Sequence, residues 1–126
     1  TFGELVGKEL SEDAGPDSIS FYKTLTGQSE PDRPTLVIKS SSGAMTARQG
    51  PWKLITELGS GGFSKPSRIK PTRGGPVGQL YNLDDDIGET NNLYDQKPEI
   101  VAKISAELKR IQDSSASRTL GHQNRQ

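Results

Sequence analysis

Cysteine is absent from this 126-residue sequence, and the chain has a single histidine, His122. The lack of cysteine excludes disulfides, thiolate nucleophiles and zinc–thiolate sites together. The formal net charge is +0, which argues against binding to nucleic acid or to a charged membrane surface. No apolar run approaches the roughly 18 residues of a membrane-spanning helix. The sequence therefore predicts neither a nucleic-acid partner nor a membrane partner.

Apolar residues are also scarce, at 29% of the chain, whereas glycine contributes 14 residues and proline 8. The length suits one domain and is too short for a large enzyme. Much of the chain must therefore be loop, and a core can form only where apolar residues concentrate. The opening, FGELVG, is already amphipathic and follows Thr1 without an initiator methionine. This pattern predicts a chain cut from a longer protein.

Four segments have the alternation or the β-branched composition of strands. Glycine-containing turns at Ser42-Gly43 and Gln49-Gly50 separate the first three and predict an antiparallel meander. The four segments are 35–40, 44–50, 51–58 and 79–83. The stretch 59–78, between the third and fourth strands, is rich in glycine and proline, which predicts a long loop.

Helical periodicity is clearest near the end of the chain. Val101, Ile104, Leu108 and Ile111 recur at helical spacing, and Pro98 suits the first turn. Weaker helical signals lie in 2–7 and 18–27. The predicted fold is α+β, a small four-stranded antiparallel sheet packed against a C-terminal helix, with a long Gly/Pro-rich loop.

The composition divides the chain into three predicted regions. Residues 1–34 form a linker with short helical segments, and residues 35–113 form the α+β subdomain. Residues 114–126, SSASRTLGHQNRQ, are polar and predict a disordered tail.

The loop contains the pentapeptide SKPSR, at Ser64–Arg68. It matches the C/S-x-P-S-R pattern of sulfatases, in which the first residue is oxidised to formylglycine. That chemistry also needs a divalent cation held by several oxygen ligands, a base and acids. The chain offers one histidine, in the predicted tail, and Arg73 stands where the family has threonine. The match is therefore interpreted as a coincidental loop sequence, and no catalytic residue is assigned.

The turn NLDDDIGE places Asn82, Asp84 and Asp86 at alternate positions, as in a calcium-binding loop. An EF-hand needs glycine at its sixth position and glutamate at its twelfth, where this chain has Ile87 and Leu93. We therefore expect aspartate side chains that bond backbone amides, and we predict no metal site. The run GSGGFS lacks the Gly-Lys-Ser/Thr ending of a phosphate loop, which leaves it as a mobile loop.

Several stretches together resemble the C-terminal part of sulfatases of the arylsulfatase type. They are ARQGPWKLI, GSGGFS and GQLYNLDDDIGETNNLYDQKPEIVAKI, and the opening of the chain resembles the family segment after the metal site. The matching residues are Arg48, Gly50, Trp52, Lys53 and Leu54, then Leu80, Tyr81, Asn82 and Leu83, then Gly88, Glu89, Asn92 and Leu93, and in the opening Asp17, Ser18, Ser20 and Phe21.

The resemblance implies a fragment of a sulfuric ester hydrolase that catalyses nothing by itself. The formylglycine and the Ca²⁺ or Mg²⁺ ligands of such an enzyme would lie in a large α/β catalytic domain before Thr1. That domain would be the partner of this chain in cis, and residues 1–34 would lead from it. The resemblance also implies a parent enzyme that is periplasmic or secreted.

Two groups of residues are predicted to have a role, one in supporting the scaffold and one at the rim of the substrate pocket. The motif residues are expected to support the scaffold, with Trp52 between sheet and helix, and with Glu89 and Asn92 satisfying backbone groups near the turn. Related sequences often have His-His-Ser where this chain has Ile38-Lys39-Ser40, which puts a family contact there in doubt. The structural group is Trp52, Tyr81, Glu89 and Asn92, and the predicted substrate-rim group is Lys39, Ser40, Ser41 and Arg68.

Two other functions stay open at this point. A stand-alone binding module could hold a sulfated or other anionic ligand, because the loop has local positive charge at Lys65, Arg68, Lys70 and Arg73. A miniature enzyme built on Ser64 would carry an aldehyde at that residue.

Overall fold

Four short antiparallel strands lie side by side in chain order, β1-β2-β3-β4, in the computed structural model. The structure describes residues 1–11, 14–29 and 33–118. The strands are β1 (Leu36–Lys39), β2 (Met45–Gln49), β3 (Trp52–Ile55) and β4 (Gln79–Asn82), and the helices are α1 (Phe2–Leu5), α2 (Tyr22–Leu25) and α3 (Pro98–Ser114). The predicted α+β class, with a four-stranded antiparallel sheet and a C-terminal helix, is confirmed.

The register of the sheet produces one apolar face. Ala47 pairs with Leu54, and Leu54 pairs with Leu80, so these three side chains lie in a row across the sheet. All three are almost inaccessible to solvent. Because neighbouring residues of a strand point to opposite faces, this row defines the side that α3 covers.

Helix α3 covers that face with the stripe that its periodicity predicts. Ile104 and Leu108 join the row of strand residues in one buried cluster. Trp52 packs against the edge of this cluster and is partly buried, as expected for a residue between sheet and helix. Proline at the first helical position suits a helix start, since no intrahelical partner exists there for an amide hydrogen.

The turn between β2 and β3 lies one residue later than the sequence indicated. Gln49 pairs with Trp52, so the two turn residues are Gly50 and Pro51 rather than Gln49 and Gly50. Gly50 has φ +56°, a conformation that glycine adopts without a Cβ penalty. The glycine therefore fixes the turn, and the strand pattern alone places it only to within a residue.

The outer edge of β4 is covered by the chain segment after the turn. The Leu80 amide donates to Asn92 Oδ1 at 3.0 Å, and the Leu93 amide donates to the Leu80 carbonyl at 2.8 Å. These bonds occupy backbone groups that would otherwise be open to pairing with another strand.

The start of the described chain is attached to the end of α3 by polar contacts. The Ser117 amide and hydroxyl both bond Asp17 Oδ1, at 3.0 and 2.7 Å, and the Arg118 amide donates to the Pro16 carbonyl at 3.1 Å. Of the predicted tail, residues 114–118 belong to the described part of the chain, where Ser117 and Arg118 make these contacts and Ala116 is buried. The rest of the predicted tail, 119–126 with His122, lies outside the described residues.

Residues 59–78 contain no helix or strand, apart from a single bridge that joins Leu58 to Ile69. Within the described part of the chain, no helix has both the length and the apolar character needed to span a membrane. The division into regions 1–34, 35–113 and 114–126 stays a prediction.

Candidate functional site

The first half of the long loop folds back on itself. The Ile69 amide donates to the Leu58 carbonyl at 3.0 Å, and the Gly61 amide donates to the Ser67 carbonyl at 2.9 Å. Gly59 has φ +96°, and a Cβ there would lie 2.8 Å from the Ser67 carbonyl oxygen. Only glycine permits this close approach, which sets the shape of the loop over 58–69.

This folded loop contacts the β1–β2 hairpin. Arg68 donates from Nη2 to the Ser42 carbonyl, and its Nε lies 3.9 Å from Glu57 Oε2. Gly61 approaches Ser40 so closely that a Cβ on the glycine would lie 3.3 Å from Ser40 Oγ. The structure thus brings together two of the predicted rim residues, Ser40 and Arg68. We call this contact region, made of Ser40, Ser42, Glu57, Gly61 and Arg68, the hairpin–loop cluster.

The other two rim residues differ in position. Ser41 is exposed at the tip of the hairpin, next to the hairpin–loop cluster. Lys39 precedes Ser40 and therefore points to the opposite side of β1. It lines a groove of about 390 Å³ between β1 and the end of α3, together with Arg33, Met45 and Ser117. The side chain of Lys39 therefore lies apart from the hairpin–loop cluster, and its role at a rim stays a prediction.

Phe63 is a feature of the loop that sequence reasoning missed. Its side chain is 99% exposed. The turn that carries it is held by the Ser60 hydroxyl, which donates to the Ser64 carbonyl at 2.5 Å and accepts from the Gly62 amide at 3.2 Å. An aromatic residue inside a glycine–serine run was the available signal, since such a side chain has no neighbouring bulk to pack against.

Ser64 lies in the same exposed turn. Within the described ranges, no group of three or more His, Cys, Asp or Glu side chains could hold a metal ion. The residues around Ser64 therefore do not fit the cation that a formylglycine would need, and no chemical step is derived through Ser64.

The turn after β4 is built around Asp86. Its carboxylate accepts from the Thr90 amide at 2.8 Å and from the Asn91 amide at 2.8 Å, and from the Thr90 hydroxyl at 3.0 Å. These bonds hold the pKa of Asp86 below its usual value. The aspartate thus bonds backbone amides, as predicted for a turn in place of a calcium loop.

The face of the sheet opposite α3 carries a polar arrangement. Lys53 Nζ lies 2.5 Å from Glu89 Oε1, and Lys53 pairs in register with Tyr81. Tyr81 is buried, and its hydroxyl donates to Gln79 Oε1 at 2.7 Å. Burial raises the pKa of Tyr81, and the carboxylates of Glu89 and Asp86 add to the effect.

Glu89 does not have the partner that was expected for it. The sequence predicted that it satisfies a backbone group, whereas its carboxylate accepts from the Lys53 side chain. It also has φ +55°, which is unusual for a residue other than glycine. A partner 36 residues away in the chain leaves no periodic signal, so sequence reasoning could not identify it.

Asn92 bonds three backbone groups. Its Oδ1 accepts from the Leu80 and Tyr94 amides, each at 3.0 Å, and its Nδ2 donates to the Gly78 carbonyl at 3.1 Å. Gly78 and Leu80 are both buried. Asn92 thus joins the turn to the edge of the sheet.

Two comparisons with known proteins find sulfatases. An N-acetylgalactosamine-6-O-sulfatase of Bacteroides thetaiotaomicron is 29% identical over 107 residues, which are 85% of this chain and 21% of that protein. A sulfatase structure from work on glycosaminoglycan metabolism by the same organism has a TM-score of 0.67 and 28% identity. It covers 87% of this chain and 23% of that one. No protein-family model matches.

The chain resembles a sulfatase C-terminal domain. Both sulfatases share its sequence at more than a quarter of the aligned positions, and the structural match covers 87% of this chain. The chain spans only about a fifth of the length of these relatives.

Proposed function

We propose that this chain is the C-terminal part of a sulfatase, a sulfuric ester hydrolase, and catalyses nothing by itself. It supports the catalytic domain in cis and forms part of the rim of the substrate pocket. The observation that carries this proposal is the similarity to a sulfatase over 107 residues, which make up only 21% of that relative. The formylglycine and the Ca²⁺ or Mg²⁺ site are assigned to the rest of the parent polypeptide, which is periplasmic or secreted.

The hairpin–loop cluster is the part of the chain that we assign to the rim. Two segments distant in sequence meet there, and the side chain of Arg68 remains 65% exposed beside its two partners. A guanidinium held in place by Glu57 and the Ser42 carbonyl is oriented before a ligand arrives, which lowers the ordering cost of binding an anion. Phe63, five residues earlier in the same loop and fully exposed, offers an apolar surface of the kind that can contact a sugar ring.

The substrate class follows from the relatives. One is named as a sulfatase of N-acetylgalactosamine 6-O-sulfate, and the other comes from work on glycosaminoglycans. We therefore propose a sulfated amino sugar as the substrate of the parent enzyme.

The test is to express the parent polypeptide and to measure sulfate release from N-acetylgalactosamine 6-sulfate and from an aryl sulfate. We expect turnover by the parent and none by this chain alone. Arg68→Ala in the parent should raise KM or change the preference between the two substrates. Arg73→Ala is the matched control, since Arg73 is an exposed cation of the same loop outside the hairpin–loop cluster. Unchanged turnover and preference in the Arg68 variant would remove the rim assignment.

A second candidate function is a stand-alone module for sulfated or anionic ligands. It is favoured by the cations Lys65, Lys70 and Arg73, which are exposed and make no ion pair within the described ranges. Binding of a sulfated glycan to the isolated chain, measured as a function of salt, tests it. A lack of binding at low salt would exclude this function.

A further inference from the structure

A groove lies beside the start of β1 and the end of β2. It has a volume of about 270 Å³ and is lined by Arg33, Pro34, Leu36, Arg48 and Gly50. Leu36 and Arg48 pair in register, and both point to the face of the sheet opposite the buried residue Ala47, the face that α3 leaves uncovered. Because two of the five lining residues are arginines, we call it the two-arginine groove.

The two-arginine groove is separate from the hairpin–loop cluster. That cluster contains Ser42, at the tip of the β1–β2 hairpin, whereas Arg48 lies six residues further along, near the opposite end of β2. At about 3.3 Å per residue, the two positions are roughly 15–20 Å apart along the strand. A ligand in the groove therefore does not contact the rim residues Ser40 and Arg68.

The groove has positive charge that no carboxylate of the described chain neutralises. Arg48 stands directly opposite Lys53 on the neighbouring strand, and like charges in this position repel each other. Glu89 pairs with Lys53 at 2.5 Å. Arg33 and Arg48 have no ion-pair partner among the described residues. The groove therefore favours a ligand that brings a negative charge.

The side chain of Arg48 is tied to the turn between β2 and β3. Its Nε donates to the Gly50 carbonyl at 3.4 Å, a long hydrogen bond that leaves both Nη atoms without a partner in the described ranges. Gly50 has no side chain, and a Cβ there would meet no atom within 4 Å, so the space beside the guanidinium is open. A guanidinium presented in this way suits a carboxylate or a sulfate, which it binds through two parallel hydrogen bonds.

Pro34 and Leu36 give the same groove an apolar wall. An apolar wall beside two cations suits a ring with an acidic substituent, because the C–H face of the ring packs on the wall while the oxyanion contacts the guanidinium groups. A volume of about 270 Å³ lies just below the range of pockets for drug-sized ligands and is enough for one sugar ring. An inorganic anion would use the cations but not the wall.

We propose that the two-arginine groove binds an acidic sugar, whose carboxylate or sulfate group contacts Arg33 and Arg48 and whose ring packs on Pro34 and Leu36. This site goes beyond the proposed function, because it lies away from the hairpin–loop cluster and requires no catalytic step. A ligand of this size in an open groove binds with a Kd on the order of 1 mM.

Titration of this chain, followed by two-dimensional ¹H–¹⁵N NMR, tests the site. The probes are glucuronic acid and N-acetylgalactosamine 6-sulfate, with neutral N-acetylgalactosamine and inorganic sulfate as references. We expect both acidic sugars to shift the side-chain Nε–H signals of Arg33 and Arg48 and the amide signal of Gly50, with saturation. The neutral sugar should shift none of these signals, and inorganic sulfate should bind several-fold more weakly. The ratio of the two sugar Kd values shows which oxyanion the groove prefers.

Single substitutions assign the binding to the two arginines. Arg33→Gln and Arg48→Gln should each weaken the binding of both acidic sugars by about tenfold, the loss expected for one charge-assisted contact. Arg48→Gln also removes the repulsion from Lys53, so this variant should remain folded, which urea unfolding checks. Arg73→Gln removes an exposed cation outside the groove and is the matched control, with an unchanged Kd.

Three results would overturn the inference. Equal affinity for inorganic sulfate and for the acidic sugars would mean that the groove attracts any anion by charge alone. Shifts confined to Lys65 and Arg73 would place the anion on the long loop. An unchanged Kd in both Arg33→Gln and Arg48→Gln would show that the arginines do not form the site. None of these results depends on sulfate release by the parent polypeptide, so the inference and the proposed function fail separately.

Discussion

Removing the side chain of Asn92 should destabilise this fold more than any other polar substitution in the turn. In Asn92→Ala, three hydrogen bonds to backbone groups disappear, and two of those groups belong to the buried residues Gly78 and Leu80.

The magnitude follows from these three bonds. Each contributes about 1 kcal/mol net, and a buried amide left without an acceptor costs about 1–3 kcal/mol. Allowing for partial relaxation of the edge, we expect Asn92→Ala to lower the free energy of unfolding by about 3 kcal/mol. Asn92→Asp keeps the acceptor for Leu80 and Tyr94 but sets a carboxylate oxygen against the Gly78 carbonyl, so it should not restore the stability of the wild type.

Urea unfolding followed by tryptophan fluorescence measures this loss. Trp52 is the only tryptophan and packs against the core cluster, so its emission reports on the sheet–helix interface. Asn91→Ala is the matched control, because Asn91 is exposed and only its backbone amide takes part in the turn. A loss below about 1 kcal/mol for Asn92→Ala, or an equal loss for Asn91→Ala, would refute the reasoning.

Three further predictions can be checked on the isolated chain. Trp52→Ala should cost about 3 kcal/mol in urea unfolding, near the low end for a tryptophan because Trp52 is only partly buried; a near-neutral change would contradict its packing role. The hydrogen bonds of Asp86 and Asp17 lower their pKa values, so the stabilisation they provide is complete above pH 3.8 and is lost as the pH falls through the lowered values. Stability of wild type and Asp86→Asn should therefore converge at low pH, and a constant difference would contradict this linkage. Peptide mass spectrometry should find Ser64 unmodified. An aldehyde at Ser64 would instead support the hypothesis of a miniature enzyme built on that residue.

The sheet and the C-terminal helix could be predicted because both have periodic signals. Alternation in MTARQ and WKLI determines which side chains share a face, and the 3.6-residue period places Ile104, Leu108 and Ile111 on the buried stripe. The same alternation separates Lys39 from Ser40, which the rim prediction had grouped together.

Other contacts had no signal in the sequence. The bond between Asp17 and Ser117 joins residues 100 positions apart, and the contact of Arg68 with the Ser42 carbonyl joins a non-periodic loop to a hairpin tip. Such contacts depend on the three-dimensional path of the loops, which glycine and proline leave locally undetermined. The contact between Asp17 and Ser117 and the hairpin–loop cluster are therefore visible only in the structure.

The central claim is that this chain is part of a larger sulfatase polypeptide. The most direct measurement is an immunoblot of the native organism, on a denaturing gel, with antibody raised against this chain. The account predicts one band several times larger than the chain, since the chain spans about a fifth of its relatives. A band at the size of the chain itself would contradict the claim.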